Sequence, residues 1–267
     1  MESLMLMLGA CLLLGVVVGF SAGLLGIGGG LIAVPVLLYL LPLAEVPANY
    51  LPHVAIATSL AAIILTSFSS ARAHHQRGNV PWFLFKPMLP GTILGALASG
   101  FIAELISGDD LKRGFAVFVM LMAVNMAFPY KPSAEGKTMP PPVVMFVVSA
   151  LIAVISGMMG IGGGTLTVPF LCWCGLQMRQ AVGFSSANSL VIALWGSLGY
   201  VIAGWNIQGM PLGSLGYIYL PALVGIVVTS MLLAPVGAKA ASVWPTPVLK
   251  KIFAALLLVV GLKLMLS

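Results

Sequence analysis

Apolar runs long enough to cross a bilayer follow one another along this chain, and that limits it more than any other feature. They fall at about 3–25, 28–43, 52–70, 83–105, 114–128, 143–159, 162–176, 181–203, 215–237 and 248–266. A spanning helix needs roughly 20 apolar residues. With every backbone N–H and C=O needing a partner in hydrocarbon, such runs become helices. Charge points the same way: only 7% of residues are charged, against about 25% in ordinary soluble domains. So few charges could not cover a soluble fold of this size, and lipid is the expected solvent. The expected fold is an all-α polytopic membrane protein of about eight transmembrane helices, or eight to ten membrane segments depending on how the short ones are scored.

Two of the runs, 28–43 and 162–176, are too short for a comfortable span, and each opens on glycines. A half-helix or re-entrant leg suits them, since open backbone is tolerated at membrane depth only where protein or a wet cavity surrounds it. The glycines also repeat. Gly26-Ile27-Gly28-Gly29-Gly30 returns 134 residues later as Gly160-Ile161-Gly162-Gly163-Gly164, and Pro35 returns as Pro169 at the same spacing. Thr58-Ser59-Leu60 aligns with Asn188-Ser189-Leu190, and Pro90 with Pro221. The pattern divides the chain into a first membrane repeat at 1–128, a polar Pro-rich linker at 129–142 and a second repeat at 143–267, together one transport unit. Five segments per half turn the second half upside down, the inverted-repeat plan of many secondary transporters.

Cations test that arrangement. Arg72, Arg77, Lys86, Lys131, Lys137, Arg179, Lys239, Lys250 and Lys251 fall on one side and Lys112, Arg113 and Lys263 on the other. Positive loops mark the cytoplasmic face, so both termini are expected outside. The net charge of +6 is thus explained by scattered loop residues, and no basic face for nucleic acid is present. The start of the chain lacks a basic stretch before its apolar run, so it reads as a retained first segment and not as a signal peptide.

The residues that could carry function are few. Cys11, Cys172 and Cys174 lie in apolar runs and suggest neither disulfide nor metal site. His74 and His75 share a basic stretch with Arg72 and Arg77 and read as a solvated loop, while His53 stands at the mouth of a segment. Glu104, Asp109 and Asp110 lie at segment ends or in loops, so no buried acid marks a cation or proton path. No catalytic residue, metal or cofactor is expected. A helix opened by Gly28, Gly29, Gly30 or by Gly162, Gly163, Gly164 would aim free N–H groups and the positive end of its dipole into a cavity, an anion site without a buried cation. Thr58, Ser59, Asn188 and Ser189, neutral donors at matching places in the two halves, complete the expected substrate shell. The same glycines fail as a dinucleotide motif, because Leu31 and Thr165 stand where G-x-G-x-x-G requires glycine. Gly15, Gly19 and Gly23 have the spacing of close helix packing.

Three stretches carry a family likeness: GFSAGLLGIGGGLIAVPVLL at 19–38, IATSLAAIILTSFSSARAHHQRGNV at 56–80 and ISGMMGIGGGTLTVPFL at 155–171. With these the chain resembles the sulfite exporter TauE/SafE family over nearly its whole length. The resemblance implies a duplicated fold of roughly eight helices in a prokaryotic cytoplasmic membrane. It also implies transport of sulfite, thiosulfate, sulfonates or other small organic anions. One departure is SSANSL where the first half has AIATSL: relatives often have Thr-Ser in both, and Asn188 changes the donor geometry. The expected partners are a small anion and the lipid bilayer, with a homodimer left open. The competing readings are an accessory membrane subunit and a membrane-embedded enzyme. The duplication disfavours the first, and the second lacks a nucleophile with its base or a metal cluster.

Overall fold

The computed structural model describes residues 2–25, 29–128, 139–243 and 246–266. Ten α-helices account for nearly all of it: α1 (Glu2–Leu25), α2 (Gly30–Leu40), α3 (Leu51–Gln76), α4 (Phe85–Glu104), α5 (Gly108–Ala127), α6 (Pro142–Met158), α7 (Gly164–Trp173), α8 (Met178–Ala203), α9 (Leu220–Val243) and α10 (Thr246–Leu266). Each apolar run of the sequence holds one helix. Among the described residues, three stretches are long and apolar enough to cross a membrane: Ala48–Gln76, Trp82–Glu104 and Met178–Ala203. Large apolar side chains such as Leu13, Phe101, Leu121, Leu151, Leu194 and Val259 face outward on six different helices. That surface belongs in lipid, and the chain is an all-α membrane protein.

Several boundaries differ from expectation for local reasons. Helix α5 starts at Gly108, six residues early, because Ser107 caps it. The Ser107 hydroxyl accepts from the Asp110 N–H at 3.2 Å, and Asp109 and Asp110 complement the dipole in the first turn. Helix α3 runs on to Gln76, so His74 and His75 sit on its last turn and not in a solvated loop. Polar residues do not stop a helix; the stop is Gly78 at φ +68, where the N–H groups of Gly78 and Asn79 turn back to the carbonyls of His75 and His74. Residues 214–219, expected as the start of a span, form a small antiparallel hairpin, β1 (Ser214–Leu215) with β2 (Ile218–Tyr219). Gly213 and Gly216, both at positive φ, make that turn possible.

His53, in the first turn of α3, is buried. Its Nε2 lies 2.9 Å from the Ala103 carbonyl, and its ring stacks on Tyr217 at 5.2 Å. Tyr217, in the hairpin outside the helices, has its phenol pushed up to about 12 by burial, with Glu104 and Tyr50 adding to the effect, so it packs as a neutral ring.

Helices α3 and α8 pack against each other through the centre. Around them α1 lies along α9, α6 along α4, and α5 along α10. Glycine permits the closest of these approaches. A Cβ on Gly15 or Gly19 would strike the α9 backbone at Ile226 or Ser230, and one on Gly91 or Gly95 the α6 backbone at Phe146 or Ala150.

Candidate functional site

The two glycine runs end in the same backbone geometry. Gly29 has φ 75 and ψ −11, and Gly163 has φ 77 and ψ −10. This left-handed conformation is open to glycine and strained for other residues. Each glycine sets the first turn of a short helix. The Gly29 carbonyl accepts from the N–H groups of Ile32 and Ala33, both at 3.1 Å; the Gly163 carbonyl accepts from Leu166 at 3.2 Å and Thr167 at 2.9 Å. Neither α2 nor α7 has a side-chain cap, although Gly29, Gly30, Leu31 and Gly163 are buried. A buried helix start without a cap calls for another partner for its N–H groups.

The two starts lie beside each other. A Cβ on Gly30 would stand 2.3 Å from the Gly160 carbonyl oxygen and 3.1 Å from Ile63, and one on Gly162 would stand 2.9 Å from Ile63 and 3.0 Å from Ser189. Ile63 is midway along α3. Gly163 approaches Ile192, near the middle of α8. Both breaks are therefore held at the level of the midpoints of the two central helices. A narrow cleft here is lined by Gly29, Gly30, Ala33, Ser59, Ile63 and Ser230, among others.

The four polar residues singled out in the sequence are all buried, and three are held in hydrogen bonds to distant parts of the chain. Ser59 Oγ donates to the Gly160 carbonyl at 3.1 Å, tying α3 to the second glycine run. Thr58 Oγ1 accepts from the Tyr219 N–H at 3.1 Å, at the entrance to α9. Asn188 Oδ1 accepts from the Thr92 hydroxyl of α4 at 3.1 Å, which turns its NH2 end away from Thr92. Ser189 lies against Gly162. The α3 residue thus reaches α9, and its α8 counterpart reaches α4. Gly164 opens α7 as Gly30 opens α2. Gly28 lies outside the described residues, with Gly26 and Ile27. No charged side chain is among the residues lining the cleft, and Glu104, Asp109 and Asp110 are exposed at helix ends. The local field comes from backbone dipoles and hydroxyls.

Sequence reasoning did not single out Thr92, Ser156, Thr165 or Thr167. Thr92 follows Pro90 by two residues in an apolar run, a weak sign. The other three flank the second glycine run, and only the fold shows that their hydroxyl oxygens are buried without hydrogen-bond partners.

Comparison with known proteins agrees over almost the full length. The family described as Sulfite exporter TauE/SafE matches residues 11–264. A probable membrane transporter protein of Haemophilus influenzae is 38% identical over 257 residues, covering 96% of this chain and 97% of its own. One from Xylella fastidiosa is 32% identical, over 72% of this chain and 75% of its own. One from the archaeon Methanocaldococcus jannaschii is 26% identical, over 81% and 80%. No solved structure matches the chain.

Proposed function

The chain belongs to the sulfite exporter TauE/SafE family, and on that premise we propose that it carries a small anion across the membrane, held where the starts of α2 and α7 meet. The observation that carries this reading is the pair of buried, uncapped helix starts, matched in φ and ψ and placed side by side. Two such starts bring partial positive charge and N–H donors to one place without a buried Lys or Arg. Sulfite, thiosulfate, sulfonates and related organic anions are the substrates considered.

Alternating access between two inverted repeats, 1–128 and 143–267 joined by 129–142, is the mechanism proposed. Its support is the way helices five apart in sequence behave alike. Helix α1 lies on α9 as α6 lies on α4, and α5 meets α10 as α3 meets α8. Thr58 reaches across to the start of α9, and Asn188 across to α4. Each half clasps the other, so rocking one against the other changes both sides of the glycine junction together. The cleft is narrow in this arrangement, and passage is proposed to use that movement. The membrane proposed is the prokaryotic cytoplasmic membrane, in keeping with the resemblance.

Purified protein in liposomes should take up labelled propanesulfonate or sulfite well above protein-free liposomes, and should not take up labelled choline. Uptake of choline with neither anion would contradict the reading.

A further inference from the structure

Gly29 and Gly163 match in backbone but differ in what surrounds them. At the start of α7 the hydroxyl oxygens of Ser156, Thr165 and Thr167 are shut off from solvent with no hydrogen-bond partner. Ser156 and Thr167 are each 1% exposed. Their oxygens stand 3.5 and 3.6 Å from the point a Cβ on Gly163 would occupy, so both flank the same spot; the Ile192 Cδ1 methyl, 2.5 Å from that point, has to swing aside for a ligand to enter. Buried hydroxyls without partners are uncommon, and Ser156 and Thr167, converging beside one helix start, are groups that a ligand could pair.

Among the described residues, the first run has nothing comparable. The positions 134 residues earlier are Ala22, Leu31 and Ala33. The hydroxyls that do line the cleft on that side already donate to carbonyls: Ser59 to Gly160, Thr66 to Ile63 and Ser230 to Val227, each at 3.1 Å. The side chains that remain there for a ligand are apolar, with Val18, Ala33, Ala62 and Ile63 lining the cleft.

The sign of the missing partner follows from the carbonyls. A cation bound by hydroxyls would also need carbonyl oxygens. Five of the eight carbonyls from 155 to 162 already accept a hydrogen bond. Ile155 accepts from Met159, Ser156 from Ile161, Gly157 from Gly160 and Tyr200, Gly160 from Ser59, and Ile161 from Gly163. The helix start adds positive potential. Two hydroxyl donors beside it, Ser156 and Thr167, suit an oxyanion.

Resting on the proposed anion site, we propose that the substrate binds in one orientation. Its charged head is held by Ser156 of α6 and Thr167 of α7 beside the start of α7, and an apolar body lies on the α2 side. The ligand class is a short organic oxoanion, a sulfonate or carboxylate on an apolar body, and not a bare inorganic ion.

Binding to the purified full-length protein tests this, with propanesulfonate, butanoate and sulfite as probes. The wild type should bind propanesulfonate about tenfold or more tightly than sulfite, because the propyl group leaves water. Ser156→Ala and Thr167→Val should each weaken propanesulfonate and butanoate about tenfold or more, the effect of losing one hydrogen bond to an anion. Thr167→Ser, which keeps the hydroxyl, should retain binding and thereby shows that loss in the Val variant is not loss of fold. Wild-type affinity in both Ser156→Ala and Thr167→Val would overturn the head-group assignment. Equal affinity for sulfite and propanesulfonate would overturn the apolar side. Either result leaves the anion reading standing. Binding of none of the three anions by the wild type would overturn that reading and this inference with it.

Discussion

Gly163→Val is expected to reduce anion transport to the level of protein-free liposomes while the protein still inserts and purifies. Gly163 holds φ 77 at the start of α7, where an L side chain costs about 1–2 kcal/mol and a β-branched one more. Its Cβ would stand 2.5 Å from Ile192 Cδ1. That atom is the far end of a flexible side chain and can yield, so the clash alone does not unfold the protein. The damage lies in the backbone and in the space ahead of it. Valine favours negative φ, which redirects the first turn of α7, and its methyl groups enter the volume that the Ser156 and Thr167 hydroxyls flank. Gly163→Ala should be milder, with less bulk and no β-branch. Uptake normalised to reconstituted protein measures the effect, and wild-type flux in the Val variant would contradict the role given to this glycine.

Gly199→Leu is expected to do the reverse kind of harm, removing the fold and not just the site. A Cβ there would stand 2.4 Å from the Leu97 carbonyl oxygen, and one on Gly100 opposite would stand 2.4 Å from the Gly199 carbonyl carbon. Both obstacles are backbone, which cannot yield as Ile192 can. Helices α4 and α8 would have to part, exposing the Thr92–Asn188 bond between them. Overpacking of this sort costs typically about 1–3 kcal/mol and more where backbone is displaced. The expected result is a lower unfolding temperature and loss of the monodisperse species in detergent. A Leu variant as stable as the wild type would show that the close approach of α4 and α8 is dispensable.

These two glycines show what a sequence can and cannot reveal here. Gly163 stood out because its motif occurs twice and opens a short segment each time. Gly199 is one of 31 glycines, and only its distance from Leu97 gives it weight. The helices were legible for the same reason as the motif, since lipid requires long apolar runs. Boundaries set by short-range chemistry were less so: the Ser107 cap, the Gly78 stop and the hairpin at 214–219 each moved an end by several residues. His53 looked interfacial from its place in the chain, but the hairpin folds Tyr217 over it. Ser156, Thr165 and Thr167 were passed over because hydroxyls in lipid-embedded helices ordinarily bond their own backbone. Absence of a partner is a tertiary property, and no spacing along the chain records it. Conversely Thr58, Ser59 and Asn188 are visible as matched polar positions, yet in this arrangement they bond Tyr219 of β2, the Gly160 carbonyl and Thr92 of α4.

The most direct test of the central claim is a structure of the full-length protein with propanesulfonate bound. The expected ligand lies between the starts of α2 and α7, its sulfonate oxygens about 2.7–3.2 Å from the hydroxyls of Ser156 and Thr167 and its propyl group toward Ala33 and Ile63. A ligand seated away from both glycine runs, or an unbroken helix through residues 160–164 in the bound state, would contradict it.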